Sequence, residues 1–340
     1  MVRHNFQIVF QNDILKGARD VCSFNHSVDN YHIESIYDLL NNNFAFPSAD
    51  VIIGGFPCQD FSHCGKRQGF QTDKSHNLKD PVDTAAQQQR PAADSEQSTQ
   101  PAGNSRGTLY RSFVEVVKRV RPKIFVAENV YGLLTMPRGD ALSPIQQIVD
   151  DFSELGYDVR WQLVDCTKFG IPQTRKRVII IGISKDRTGP NASEPLKRGW
   201  ELLTRNKTQC VVGKYFEHLE EPSVTQDISQ MMFSKAARLA KGQGQKEINL
   251  NEPAPTMRAE HHGNIEFRRH HDSKINKSEK DLPERRLTVR EAGLIQTFPP
   301  SYIFTKKKVM TSYKYIGNAV PPLLGYLVAN KVTELLNLYF

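Results

Sequence analysis

No hydrophobic stretch in this 340-residue chain approaches the roughly 20 apolar residues that a membrane span needs, so no transmembrane helix is expected. The opening residues, Met1-Val2-Arg3-His4-Asn5, lack the architecture of a secretory signal. Cysteine is scarce. The five present (Cys22, Cys58, Cys64, Cys166 and Cys210) are odd in number and irregularly spaced. That excludes a disulfide framework and points to reduced thiols in a cytosol. Cys58 and Cys64 with His63 between them fit no common zinc spacing, and no matching set of cysteines or acids frames His261-His262 or His270-His271, so no metal is expected. A strand-linked Gly-rich cofactor loop is also lacking, since Gly242-Gln243-Gly244-Gln245 follows no strand.

What the chain does have begins at Gly54-Gly55-Phe56-Pro57-Cys58-Gln59-Asp60-Phe61-Ser62. This loop follows the β-branched run Val51-Ile52-Ile53, which reads as a buried strand ending in a Gly-Gly break. A cysteine just past a strand's carboxyl end lies where open α/β sheets bind ligands. Proline fixes the backbone before it, and a thiolate there is a candidate nucleophile. Taken alone, Cys58 reads more readily as a buried structural cysteine.

Further apolar strands are expected at 6–10, 124–127 and 178–182, alternating with helices such as 109–120 and 143–155. That alternation predicts a mostly parallel sheet with helices on both faces. Residues 71–105, with Gln87-Gln88-Gln89 at their centre, are rich in Gln, Pro, Ala and Ser and read as a flexible insertion. From about 186 to 285 the pattern turns irregular and polar. Residues 234–314 carry 17 Lys/Arg against 9 Asp/Glu, a surplus of eight that equals the whole net charge of +8. A nucleic-acid-facing surface would require that concentration of charge.

Four more segments accompany the Cys58 loop. They are Phe125-Val126-Ala127-Glu128-Asn129-Val130, with an acid at a strand's mouth; Gln173-Thr174-Arg175-Lys176-Arg177-Val178; Arg286-Leu287-Thr288-Val289-Arg290-Glu291-Ala292, with Thr288 a candidate helix N-cap; and Tyr315-Ile316-Gly317-Asn318-Ala319-Val320-Pro321-Pro322, read as a tight turn entering a C-terminal helix. In this order the five blocks resemble the DNA cytosine-5 methyltransferases of the bacterial restriction-modification type, from about residue 5 to the C-terminus.

The resemblance implies a Rossmann-like S-adenosylmethionine-dependent methyltransferase fold with a smaller, irregular target-recognition domain. The expected boundaries are 1–185 for the catalytic domain, 186–311 for target recognition and 312–340 for a segment returning to the catalytic sheet. It implies methyl transfer from S-adenosyl-L-methionine to C5 of a flipped cytosine in a specific double-stranded DNA sequence. Cys58 would be the nucleophile at C6. Glu128 would act at N3 in a largely dry pocket, with Asn129 fixing the loop. Arg175 would sit near the cytosine O2, and Arg177 would brace the Cys58 and Glu128 loops. Asp13 is implied as the acid gripping the cofactor's ribose hydroxyls. Ile14, Ile33, Pro57, Leu109, Asn318 and Val320 would wall its methionine and adenosine. Gln59, Ser62, Arg106, Gln173, Thr256 and Arg258 are expected on DNA.

Two features depart from the family's pattern. Tyr31-His32-Ile33 stands where relatives have Gly-Asp-Ile. The family's first strand, with its Phe-x-Gly-x-Gly loop, has no counterpart, and its absence would expose two unpaired strand edges. Three accounts stand open: a truncated chain, a complementing subunit that supplies the strand, or a DNA-binding relative without catalysis. An RNA cytosine-5 methyltransferase is the remaining rival, and an acid at the Glu128 loop, where that class places its nucleophile, argues against it.

Overall fold

The computed structural model describes residues 6–56, 109–135, 143–186, 210–235, 246–259, 266–269, 284–304 and 308–340. The 71–105 insertion and both histidine pairs lie outside these residues, as do Pro57, Cys58, Gln59, Ser62 and Arg106.

The largest sheet among the described residues has four strands. Its strands are β3 (Val51–Gly54), β4 (Ile124–Val130), β5 (Tyr157–Asp165) and β6 (Lys176–Ser184), in the order β3-β4-β6-β5. β3 and β4 are parallel, while β6 runs antiparallel to β4 and to β5. Three of the four strands therefore share a direction, the mostly parallel arrangement expected. β1 (Gln11–Asn12) and β2 (Tyr31–His32) form a separate parallel pair.

The strand expected at 6–10 is not formed. Pairing is confined to Gln11 and Asn12, where β2 lies alongside, and Phe6 and Ile8 are exposed. Among the described residues nothing pairs with the outer edge of β3, and Ile53 there is 70 % exposed. β5 was not foreseen in the sequence, although Tyr157, Val159, Trp161 and Leu163 alternate with Asp158, Arg160 and Gln162. That period of two is a strand signal.

Both faces of the sheet are packed. On one face, α3 (Leu109–Val120) and α5 (Pro144–Glu154) cover Phe125, Ala127, Val178 and Ile180. Ser143 caps α5 by accepting from the Gln146 amide, with Pro144 at the first position, where a missing N–H costs nothing. On the other face the C-terminal helix α10 (Pro322–Tyr339) lays Leu324, Val328, Val332 and Leu335 over Ile124, Val126, Ile179, Ile181 and Ile183. Gly182 is glycine for space, because a Cβ there would stand 2.0 Å from the Phe125 ring.

A third core is drawn from residues between 212 and 316 and includes Val212, Ile248, Met257, Leu287, Ile295, Tyr313 and Ile316. Its helix α8 (Val289–Ile295) opens on a full capping box, in which the Thr288 hydroxyl accepts from the Glu291 amide and the Glu291 carboxylate accepts from the Thr288 amide. The residues Tyr315 to Asn318, read from sequence as a turn, are the last turn of helix α9 (Val309–Asn318), and the bend into α10 begins at Ala319. The boundary expected at 311/312 falls inside α9, whose Tyr313 and Ile316 belong to this third core.

The basic surplus is only partly a surface. Arg268 and Arg285, on the paired strands Phe267–Arg269 and Glu284–Arg286, bond Glu291 and Glu221. Arg290 bonds Asp227. These arginines count toward the net charge but are buried among carboxylates. Burial alone would raise the Glu291 carboxyl, yet the Arg285 bonds, the Arg285 and Arg268 charges and the Thr288 amide hold it below its ordinary 4.5.

Candidate active site

The carboxyl ends of β3 and β4 meet at the site. Along β4, Ile124 and Val126 face α10, and the next residue on that face is Glu128. Along β6, Ile183, Ile181 and Ile179 face α10, and the next is Arg177. Where the apolar layer ends, the charged pair begins. Arg177 Nε lies 2.8 Å from Glu128 Oε1, with the two side chains 13 % and 20 % exposed. Arg177 also donates to the Lys176 carbonyl at 2.8 Å.

Glu128 stands against the end of β3. A Cβ built on Gly55 would come within 3.9 Å of both its backbone carbonyl and its Oε2. Buried Asn129 donates from Nδ2 to the Phe56 carbonyl at 3.4 Å, tying the β4 end to the residue just before Pro57. The described chain thus ends beside the acid, two residues before Cys58. Two other thiols are poor nucleophiles. Burial pushes Cys166 up to about 11, and burial with the nearby Asp13 charge raises Cys22.

Arg175, expected beside a bound cytosine, has its guanidinium engaged within the chain. Its side chain is buried, Nη1 donates to the Met257 carbonyl at 2.9 Å, and Nη2 donates to the carbonyls of Gly317 and Ala319, each at 3.1 Å. A guanidinium fork satisfied by three backbone carbonyls is a structural tie, so the arginine at the Glu128 site is Arg177. Gln173, expected on DNA, is also fully buried. Its Oε1 accepts from the Met257 amide at 2.8 Å and its Nε2 donates to Gln296 at 2.6 Å. Thr256 bonds back to the Thr174 carbonyl at 2.9 Å, and Arg258 beside it is half-buried.

A second group lies where α1 (Lys16–Ser23) meets α9. Gly17 faces the Tyr315 hydroxyl so closely that a Cβ would sit 2.1 Å from it. This contact brings the β1–α1 bend toward the end of α9, where Asn318 is exposed and Val320 half-buried. Asp13 sits at the rim of that bend, where its Oδ1 accepts from the Leu15 amide at 2.8 Å. Its neighbours partly desolvate it and raise its pKa above the ordinary 3.8, against the Leu15 amide and the Lys314 charge. Ile14 and Ile33 expose aliphatic surface beside it. A carboxylate acceptor, exposed aliphatic side chains and an amide suit an adenosyl group with vicinal hydroxyls. Leu109 opens α3 and is half-buried. The His32 ring is stacked on Phe10 at 4.9 Å and set edge-on to Phe44. Among the described residues, no group of His, Cys, Asp and Glu could hold a metal ion.

The architecture defines the class first. It matches the solved structure of a Spodoptera frugiperda DNMT2 mutant with a TM-score of 0.61 at 15 % identity, covering 97 % of this chain and 93 % of that one. An S. pombe Dnmt2 methyltransferase matches with a TM-score of 0.60 at 16 % identity, over 97 % and 92 %. The fold is that of these methyltransferases. The model of the C-5 cytosine-specific DNA methylases matches residues 1–93 and 95–334, and the chain belongs to that family. Among curated relatives, the type II methyltransferase M.FnuDI of Fusobacterium nucleatum is 28 % identical over 98 % of this chain and 90 % of its own length. M.BsuRI of Bacillus subtilis is 26 % identical over 97 % and 68 %.

Proposed function

We propose that this DNA cytosine-5 methyltransferase works through Cys58, Glu128 and Arg177 on a cytosine turned out of double-stranded DNA, guarding host sequences against a cognate endonuclease. The observation that carries the reading is the Glu128–Arg177 pair at the mouth of β3 and β4, packed on Gly55, which lies three residues before Cys58 in the chain.

Cytosine C5 is too weak a nucleophile to take a methyl group unaided. Addition of the Cys58 thiolate forms an S–C6 bond and pushes an electron pair into the ring, making C5 an enamine carbon. Glu128 meets the developing charge at N3 with a proton or hydrogen bond, and Arg177 holds its carboxyl in place. S-adenosylmethionine, when bound, supplies an electrophilic methyl group. Asp13 is assigned to its hydroxyls, and Ile14, Ile33, Pro57, Leu109, Asn318 and Val320 to its walls. Loss of the C5 proton and elimination at C6 then release Cys58. The base leaves the stack at a cost of a few kcal/mol, least where its pairing is already weak. Gln59, Ser62, Arg106, Thr256 and Arg258 are the side chains assigned to DNA.

The test is a covalent complex on duplex DNA containing 5-fluorocytosine, formed with cofactor and resolved by denaturing electrophoresis. Fluorine at C5 blocks elimination, so the wild type is expected to be trapped and Cys58→Ser to remain unlinked while retaining DNA binding. A folded, cofactor-binding wild type that is never trapped sinks the reading, and so does a Cys58→Ser variant that loses DNA binding to the same extent as turnover.

A further inference from the structure

We propose that Gln173, Arg175 and Gln296 form a buried clamp that registers recognition residues 254–257 against the Glu128–Arg177 pair, making Gln296 a positioning residue for DNA sequence discrimination. Four distant segments converge on it. Gln296 Oε1 accepts from Gln173 Nε2 at 2.6 Å, and Gln296 Nε2 donates to the carbonyls of Ile316 at 2.9 Å and Ala319 at 2.7 Å. Gln173 Nε2 also reaches the Ile295 carbonyl at 3.4 Å, and its Oε1 takes the Met257 amide at 2.8 Å. Both amides are fully buried, and each of their donors and acceptors has a partner. Arg175 closes the ring on Met257, Gly317 and Ala319.

Stability alone would call for the bonds to the backbone at Met257, Ile316 and Ala319 but not for the Gln173–Gln296 bond itself, since apolar residues of similar shape can replace both partners of a buried side-chain hydrogen bond at little net cost. What the joined Gln173–Gln296 pair, with each of its donors and acceptors occupied, adds is one allowed geometry. Here that geometry links parts with separate tasks. The recognition segment is held at Ala254, whose amide donates to the Pro172 carbonyl and whose carbonyl accepts the Thr174 amide, each at 2.8 Å, and again at Met257. Arg175 lies two residues before Arg177 on the same strand face. Ala319, shared by Gln296 and Arg175, starts the turn into α10. A shift of the clamp moves the segment facing the bases relative to the pair facing the target. The inference rests on the catalytic reading above.

The test uses the purified full chain, Gln296→Met, and the double variant Gln173→Met/Gln296→Met. Each is passed through binding selection from a random-sequence duplex pool, with melting temperature measured in parallel. The wild type is expected to enrich one consensus. Gln296→Met should lower the ratio of consensus to random-duplex affinity about tenfold, the equivalent of losing readout at one base pair, with random-duplex affinity held within about twofold. The double variant leaves no orphaned side-chain amide but strips the Met257 N–H of its acceptor, so discrimination should stay low whether its melting temperature falls further or recovers. Discrimination that follows melting temperature across the series would make the clamp structural only and overturn the proposal, as would an unchanged consensus ratio in Gln296→Met. A wild type that enriches no sequence would instead defeat the functional reading itself, and the clamp's role with it.

Discussion

Replacing Glu291 by glutamine keeps its shape and removes its charge from a buried carboxylate–arginine cluster of the third core. The wild-type carboxylate accepts from Arg285 Nη1 and Nη2 at 2.8 Å each, from Arg268 Nη1 at 2.9 Å and from the Thr288 amide at 2.8 Å. Neither Glu291 nor Arg285 has meaningful access to water. Removing one partner of a buried pair costs about 3–5 kcal/mol, because the other charge is left uncompensated. Arg285 keeps Glu221 at 2.9 Å, which puts the expected loss near the low end, about 3 kcal/mol. Against a total stability of about 5–15 kcal/mol that loss is large, and urea titration of wild type and variant would read it directly.

The pH dependence has a definite sign. The folded Glu291 carboxyl lies below its ordinary 4.5, so the unfolded chain takes up its proton first as pH falls. The stabilisation is fully present above pH 4.5 and is lost as pH falls through the lower folded value, so the gap between wild type and Glu291→Gln should be flat near neutrality and narrow only below 4.5. Raising salt should leave the gap largely intact, since buried pairs are screened little. A loss under about 1 kcal/mol, typical of solvent-exposed pairs, would refute the reading of a desolvated cluster.

Two further substitutions probe other contacts. Gly317→Ala would place a Cβ 2.2 Å from the Arg258 carbonyl carbon and 2.4 Å from the Ala259 amide nitrogen, backbone atoms with little room to move. It should cost about 1–3 kcal/mol by overpacking and weaken specific DNA binding, whereas an added Cβ at Gly325, with nothing within 4 Å, should not lower the melting temperature. Ile53→Thr, on the edge of β3 that nothing pairs with among the described residues, should change stability by less than about 0.5 kcal/mol and reduce self-association in sedimentation velocity. A clear drop in melting temperature would mean that Ile53 is covered in solution.

Strands with a continuous β-branched run were legible in the sequence, because burial on both faces leaves no polar positions. β4 and β6 are of that kind, and β3 has the same run of residues although Ile53 is exposed. β5 obeys the other rule, with one better-covered face, and its alternation from Tyr157 to Leu163 was the available signal. The run at 6–10 has strand composition, yet composition says nothing about whether a neighbour is there to pair with it. The charge count misled for a related reason. Arg268, Arg285 and Arg290 fall within the basic stretch, but Glu221 and Asp227, two of the acids that neutralise them, lie outside it. Pairing across 47 to 64 residues leaves no trace in a running sum.

The two arginines of Gln173-Thr174-Arg175-Lys176-Arg177 show where a motif stops being informative. Their spacing puts both on one face of an extended chain, and chemistry alone gives them equal claim on a substrate. What separates them is how far each lies beyond the layer under α10. Arg177 is the first same-face position past Ile179 and pairs with Val130 in register, close enough to the end of β4 for its Nε to meet Glu128. Arg175 is one step further, past the end of β4, where Met257 and the α9–α10 bend close over it and offer backbone carbonyls. A cation among carbonyls is held still, whereas a cation beside a single carboxylate can exchange partners when a base enters. The same residue type, two positions apart, thus becomes a tie in one place and a candidate substrate contact in the other. The difference is set by chain segments some 80 and 140 residues away.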